Sequence, residues 1–270
     1  MSNIIVRGEI CKMLNKIKRI SENYSKTTVL IYLVIKILTI LILSEVVFTK
    51  ELSDILLCIV VFFLLDLPFN VSHKLKIKIP NCLMVCSFIY LFFTQILGEV
   101  CHFYQLVPHW DSLVHFLNGF LSSSIGFSLI MLLNSRKMVF KLSIPFVILT
   151  TVCFASTVGL IWEILEYGAD NILKLDSQND RYINEINTIT LDPKKEGDII
   201  SIKNIGYTVL YDKDSNVLIK LDGYLDIGLH DTMKDLIVNT LGTITFIFFE
   251  YLYMVNTKKY HFMENFIIKK

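Results

Sequence analysis

The chain alternates long apolar runs with short polar connections. Six runs are each close to the ~20 residues that an α-helix needs to cross the hydrocarbon core of a bilayer. Proline lacks a backbone N–H, so Pro68 is expected to end the second run. The pattern predicts an all-α polytopic membrane protein with six transmembrane helices, at about 28–47, 53–70, 80–97, 111–133, 143–167 and 231–255.

Composition supports the membrane interpretation. Hydrophobic residues make up 53% of the 270 residues, and charged residues make up 19%, whereas a soluble domain carries about 25% charged residues. The net charge of +1 is uninformative. The distribution of Lys and Arg along the chain carries the useful information.

Lys and Arg lie on one side of the predicted helices. The N-terminal tail, the loops 71–79 and 134–142 and the C-terminal tail together hold sixteen, whereas the opposite short loops hold only Lys50. Basic residues concentrate in cytoplasmic loops. The sequence therefore predicts a multi-pass protein of the bacterial cytoplasmic membrane, with both termini inside and the acidic segment 168–230 outside.

Three segments flank or interrupt the predicted membrane domain of 28–255. The basic tail 1–27 is expected in the cytoplasm, either as a short helix on the anionic inner leaflet or as a disordered chain. The tail 256–270 is also basic and cytoplasmic. The polar insert 171–225 contains two β-prone runs, 207–211 and 217–221, around a polar turn, so it predicts a small extracytoplasmic β-hairpin.

Some charged residues within the spans have simple structural explanations. Lys36 is expected to extend its ammonium group toward the inner surface. Asp66 and Glu250 lie near the inner ends of their helices, within reach of basic loops. We expect structural roles for these two carboxylates at the cytoplasmic side.

The outer ends of the last four spans carry a different pattern. Polar residues recur there at spacings of three or four, which put them on one face of each helix. The three series are Asp111, His115 and Gly119; Glu163, Glu166 and Asp170; and Asp231, Asp235 and Asn239. The residues expected to line an outward-facing pocket are Glu99, His102, Asp111, His115, Glu163, Glu166, Asp170, Asp226, His230, Asp231, Asp235 and Asn239.

Helix capping explains only part of this pattern. Asp111 and Asp231 stand where an N-cap would, and Asp is a favoured cap. His115, Glu163 and Asp235 lie a turn or more inside their helices, where no cap is needed. These three side chains are therefore expected to converge, and they are the candidates for catalysis.

Carboxylates and imidazoles suit two kinds of chemistry. They bind hard or borderline divalent cations, and they serve as general acids and bases. Several carboxylates in one low-dielectric site need either a cation or bound protons to offset their mutual repulsion. Lys234 is not expected to supply that positive charge to Asp235, because neighbours in sequence do not share a helix face. A divalent cation is the hypothesis adopted for Asp111, His115, Glu163, Glu166, Asp231 and Asp235.

The three motifs also resemble a known group of proteins. His109-Trp110-Asp111-x-x-x-His115, Trp162-Glu163-x-x-Glu166 and Asp231-Thr232-x-x-Asp235-x-x-x-Asn239 resemble the YjdF-type bacterial inner-membrane proteins. They are distantly similar to the VanZ-like superfamily, whose members are associated with glycopeptide resistance and the cell envelope. The resemblance implies a role in envelope physiology.

Two functional interpretations remain open from the sequence. The first is a membrane protein that binds a divalent cation or an envelope lipid headgroup, since outward-pointing helix N-termini favour anions. The second is a metal-dependent hydrolase or transferase acting on an envelope lipid. The sequence contains no basic, aromatic groove typical of nucleic-acid binding, and its polar groups cluster at one face, which disfavours a transport path.

Overall fold

The computed structural model describes residues 22–49, 52–134 and 142–270. Among these residues, six helical segments are long and apolar enough to cross a membrane, which confirms the predicted fold class. They are Lys26–Phe48, Leu52–Leu75, Asn81–Val100, Trp110–Asn134, Ile144–Leu173 and Leu229–Val255. The N-terminal tail, expected either as a short helix on the inner leaflet or as a disordered chain, lies mostly outside the described residues.

The chain divides into two compact units, which are described separately. The first contains the described residues up to Gly159 together with Val238–Lys270. The second is Leu160–Ile237. It contains the polar insert and the adjoining turns of two long helices.

The first unit begins with helix α1, Lys26–Thr49, followed by α2, Leu52–Leu64, and α3, Leu67–Leu75. The prediction that Pro68 ends the second span is wrong, because the helix restarts there. Pro68 occupies the first turn of α3, where its missing N–H costs no hydrogen bond. The second span therefore runs on to Leu75.

Asp66 lies at the break between α2 and α3. Its Oδ1 accepts a hydrogen bond from Lys36 Nζ at 2.9 Å and another from the hydroxyl of Tyr32. The Lys36 side chain is 13% exposed and pairs with Asp66; its extension toward the inner surface stays a prediction. The Lys36 ammonium group points to the Asp66 carboxylate because a charged group within a membrane span is stabilised by an ion pair.

The same unit continues with α4, Asn81–Leu91, a π-helical segment at Phe92–Val100, and the short α5, Phe103–Leu106. A buried aromatic cluster connects α1, α3 and α4. The Tyr32 and Phe69 rings are 5.0 Å apart, and the Phe69 and Phe88 rings are 5.4 Å apart. Edge-on and tilted packing of this kind adds stability beyond burial alone.

Helices α6, Trp110–Asn134, and α8, Leu229–Val255, approach closely where each carries a glycine. A Cβ on Gly119 would lie 1.9 Å from the Asn239 carbonyl oxygen. A Cβ on Gly242 would lie 2.0 Å from the Phe116 carbonyl oxygen. Small residues thus permit backbone contact within the first unit, as in other membrane helix pairs.

The C-terminal tail folds back onto this unit. After α8 it forms a 3₁₀ helix at His261–Phe266. The backbone N–H of Ile268 donates to Ser128 Oγ at 2.9 Å, and Lys269 pairs with Lys78 in a β-bridge. The tail is therefore an ordered part of the fold as well as a basic segment.

The second unit contains the end of α7, Ile144–Gly168, a π-helical turn at Ala169–Leu173 and the start of α8. Between them lie six short strands: β1 Arg181–Ile183, β2 Ile186–Thr188, β3 Ile200–Ile202, β4 Thr208–Tyr211, β5 Val217–Leu221 and β6 Tyr224–Asp226. They form three antiparallel pairs, β1 with β6, β2 with β3, and β4 with β5. The β4–β5 pair confirms the predicted hairpin.

Candidate functional site

In the first unit, the buried His115 and the half-buried Asp111 form a pair on α6. His115 is 5% exposed, and its Nε2 atom is 3.3 Å from Asp111 Oδ1. The two residues are one helical turn apart, which brings their side chains onto the same face. At this distance an imidazole nitrogen and a carboxylate oxygen can serve as neighbouring ligands of one cation.

An amide network lies further along the same face of α6. Asn118 Nδ2 donates to Asn239 Oδ1 at 3.1 Å, and Asn239 is 2% exposed. Gly159 on α7 leaves room for this amide, because a Cβ there would lie 2.7 Å from Asn239 Nδ2. Sequence reasoning selected Asn239 but missed Asn118, although Asn118 follows His115 at a helical spacing of three.

Two other predicted pocket residues of the first unit, Glu99 and His102, lie at the end of the π-helical segment. Glu99 is exposed. His102 helps to line a cleft of about 430 Å³ that also includes Glu45, Asp54 and Cys101. Sequence reasoning missed Glu45 and Asp54 because they belong to the first two spans, outside the three motifs.

In the second unit, Lys234 lies between two of the predicted carboxylates. Its Nζ atom is 2.9 Å from Asp231 Oδ1 and 3.4 Å from Asp235 Oδ1. The prediction that Lys234 is a poor partner for Asp235 is wrong, because the flexible four-carbon side chain reaches a neighbour that does not share its helix face. Asp235 itself is 2% exposed.

Asp231 is also bound by the insert. Its Oδ2 atom accepts a hydrogen bond from Asn179 Nδ2 at 3.2 Å. The preceding residue, Gln178, donates from its side chain to Thr232 Oγ1 at 2.5 Å. These two hydrogen bonds attach the loop before β1 to the first turn of α8. Asp231 therefore uses Oδ2 to bind the loop and Oδ1 to bind Lys234.

Two further acids of the predicted pocket also hold turns of this unit. Asp170 accepts the backbone N–H groups of Ser177 and Gln178 through its two oxygens. Asp226 accepts the backbone N–H of His230 at 2.9 Å, at the start of α8. His230 is exposed and lines a cleft of about 510 Å³ together with Arg181 and Asp222.

The pair predicted near the end of α7 differs in exposure. Glu163 is 4% exposed, whereas Glu166 is half-buried. Glu166 Oε1 accepts a hydrogen bond from Trp162 Nε1 at 2.7 Å. Trp162, which belongs to the same sequence motif, thus positions one of the candidate carboxylates.

Repulsion between carboxylates is evident at the edge of this unit. Burial, together with the nearby carboxylates of Asp176, Asp170 and Asp226, raises the pKa of Asp180. Like charges that lie close together favour proton uptake or cation binding. The predicted convergence of His115, Glu163 and Asp235 stays a prediction.

Comparison with known proteins identifies the family. A 104-residue part of the chain is 26% identical to a protein of Thermotoga maritima named "Uncharacterized protein", covering 38% of this chain and 50% of that relative. The match thus spans half the length of the relative. No solved structure matches the chain. Residues 29–256 match the family described as "Predicted membrane protein (DUF2238)", so the chain belongs to this family of predicted membrane proteins.

Proposed function

We propose that this protein binds a divalent cation at the outward-facing ends of its membrane helices, in the bacterial cytoplasmic membrane. The observation that carries the proposal is the His115–Asp111 pair of the first unit, in which the imidazole is buried and the carboxylate is half-buried. An imidazole and a carboxylate held one helical turn apart are ligands that Mn²⁺ and Zn²⁺ accept. The two residues supply the first two ligands of the proposed site.

Further ligands are assigned from the sequence pattern. Glu163 and Asp235 are buried residues near the insert ends of α7 and α8, and Glu166 follows Glu163 by one turn. The hydrogen bonds of Asp231 to Asn179 and Lys234 favour a supporting role for that carboxylate. The proposal therefore favours Glu163, Glu166 and Asp235 over Asp231 as the remaining ligands.

Metal titration of the purified protein tests this proposal. Isothermal titration with Mn²⁺ and Zn²⁺ should show binding to the wild type and binding at least about ten-fold weaker for His115→Ala and Asp235→Asn. His261→Ala is the matched control, because His261 is an exposed residue of the C-terminal tail and its loss should leave affinity unchanged. Absence of binding to the wild type, or equal losses in all three variants, would contradict the proposal.

The same ligands would serve the alternative function, a metal-dependent hydrolase or transferase acting on an envelope lipid. A bound divalent cation lowers the pKa of its water ligand and thereby supplies a nucleophile. The resemblance to YjdF-type and VanZ-like proteins is the reason for choosing an envelope lipid as the substrate class. Turnover of lipid extracts that requires added metal and is lost in His115→Ala would favour the enzyme over a binding protein.

A further inference from the structure

Glu250 is a carboxyl group inside the first unit, away from all of the predicted site residues in sequence. It lies on α8 near the end that leads to the C-terminal tail, and it is 0% exposed. Its Oε1 atom is 3.2 Å from Thr151 Oγ1 on α7. In the described part of the chain, its Oε2 atom has no hydrogen-bond partner.

The surroundings of Glu250 are apolar. Phe246 precedes it by one turn, Val147 precedes Thr151 by one turn, and both belong to a buried cluster with Phe127 and Met263. Within the described residues, Glu250 forms no ion pair with Lys, Arg or His. An ionised carboxylate held by a single hydroxyl in such surroundings is strongly disfavoured.

The neighbouring titratable groups do not supply a counter-charge. On its own helix, Tyr253 lies one turn further on and is neutral at physiological pH. In the folded-back tail, Lys269 is engaged with Glu264, and His261 Nε2 is 3.5 Å from the same carboxylate. A proton is therefore the simplest means by which Glu250 becomes neutral.

The hydrogen bonds at Thr151 lead to the same conclusion. Thr151 Oγ1 is 3.0 Å from the Val147 carbonyl oxygen as well as 3.2 Å from Glu250 Oε1. A hydroxyl carries one proton, and a carbonyl oxygen can only accept. When Thr151 donates to Val147, the contact with Glu250 is a hydrogen bond only if Oε1 carries a proton and donates it.

We propose that Glu250 is a proton-binding site within the membrane, distinct from the cation site proposed for His115 and Asp111. In the resting state the carboxylic acid donates its O–H to Thr151 Oγ1, and Thr151 donates to the Val147 carbonyl. Release transfers one proton from Oε1 to water, and the Thr151 hydroxyl then turns to donate to the carboxylate. Uptake reverses both movements, so each cycle exchanges one proton and no other group.

Carbodiimide labelling of the wild-type protein in liposomes tests the protonation state directly. Dicyclohexylcarbodiimide partitions into membranes and reacts with carboxyl groups that carry a proton, forming an adduct that peptide mass spectrometry locates. We expect modification at Glu250 at neutral pH. Glu264 is the control within the chain, because its hydrogen bond to Lys269 lowers its pKa; it should remain unmodified. Labelling of Glu264 without labelling of Glu250 would overturn the proposal.

Infrared spectroscopy provides a second, independent measurement. The wild type should show the carbonyl stretching band of a hydrogen-bonded, protonated carboxylic acid, shifted in D₂O. Glu250→Gln should lack that band and remain folded, because an amide has the shape of a protonated acid. Thr151→Val should retain the band at higher frequency, because the acceptor of the O–H is lost. A wild-type spectrum that is identical to that of Glu250→Gln would refute proton binding.

Discussion

In the first unit, referred to below as the helical unit, the carboxyl groups of Asp66 and Glu250 contact side chains, whereas two aspartates of the insert are held mainly by backbone amides. Asp66 accepts hydrogen bonds from Lys36 and Tyr32, and Glu250 contacts the hydroxyl of Thr151. In the insert, Asp192 instead accepts the backbone N–H groups of four residues, Lys194, Glu196, Gly197 and Asp198. Asp66 and Glu250 in the helices and Asp192 in the insert thus satisfy the same chemical group in different ways.

The difference follows from where backbone donors are available. Inside a helix each N–H is already bonded to the carbonyl four residues before it, so a carboxylate there needs a side-chain donor or a proton. In a turn the N–H groups point outward together and can surround one oxygen. Asp212 shows the same arrangement in the β4–β5 hairpin, where it accepts the N–H groups of Asp214 and Asn216.

The largest effect is expected from breaking the Asp66 cluster. Asp66→Asn removes the counter-charge of Lys36, whose side chain is 13% exposed, and leaving one partner of a buried ion pair costs about 3–5 kcal/mol. Unfolding of the purified protein in detergent should show a loss of that size. Asp214→Asn, in the exposed hairpin turn, is the control and should cost far less.

A double variant sharpens this prediction. Lys36→Met combined with Asp66→Asn removes both charges, so no uncompensated ion remains in the apolar interior. We expect the double variant to recover most of the stability that the single variant loses. If both proteins were equally unstable, the contacts of Tyr32 or the helix break itself would account for the effect, and the ion pair would not.

The sequence predicts this fold well because membrane helices follow simple physical rules. Run length and hydrophobicity identify the six spans, since every backbone polar group within lipid must be satisfied internally. The hairpin was predictable from β-prone runs around Asp212–Asn216. The continuation past Pro68 was not, because proline is as compatible with the first turn of a new helix as with the end of an old one.

The candidate site was predictable only in part. Helical spacing identified the His115–Asp111 pair and the series Asp231, Asp235 and Asn239 on one face of α8. Side-chain reach and hydrogen-bond partners depend on tertiary contacts, so the pairing of Lys36 with Asp66, the contact of Lys234 with Asp235 and the role of Asn118 were missed. The sequence indicates that polar residues on different helices lie at similar depths, but it does not indicate which of these residues are in contact.

A smaller effect is expected from overfilling the helix contact of the first unit. Gly119→Ala would place a Cβ 1.9 Å from the Asn239 carbonyl oxygen, so α6 and α8 must separate and the Asn118–Asn239 hydrogen bond must lengthen. Overpacking of this kind costs about 1–3 kcal/mol. Thermal unfolding in detergent measures the loss.

The insert offers a matched substitution for that experiment. A Cβ on Gly206 meets nothing within 4 Å, so Gly206→Ala should leave the midpoint of unfolding unchanged. Equal shifts for Gly119→Ala and Gly206→Ala would show that loss of glycine flexibility dominates over the close approach of the helices. The helical unit would then be no more sensitive to side-chain volume than the insert.

The smallest and most local effect is expected at Asp192. The backbone N–H of Lys194, together with three further amides and against the opposing effect of desolvation, lowers the pKa of Asp192. A lowered pKa in the folded state means that the carboxylate stabilises its turn fully above the unfolded pKa of about 3.9. That contribution is lost as the pH falls through the lower folded value.

Hydrogen exchange detected by mass spectrometry can follow this turn in the intact protein. After correction for intrinsic rates, the amides of residues 194–198 should be protected at pH 7 and progressively less protected below about pH 3.9. Asp192→Asn should already reduce their protection at pH 7, because an amide offers one acceptor oxygen and no charge.

Two controls apply to this experiment. Asp192→Asn should leave exchange in the helical unit unchanged, and Asp214→Asn should not affect the turn at 194–198. Protection of 194–198 that is independent of pH and of Asp192→Asn would mean that the turn is held by other contacts, and the contrast between side-chain and backbone donors would not extend to it.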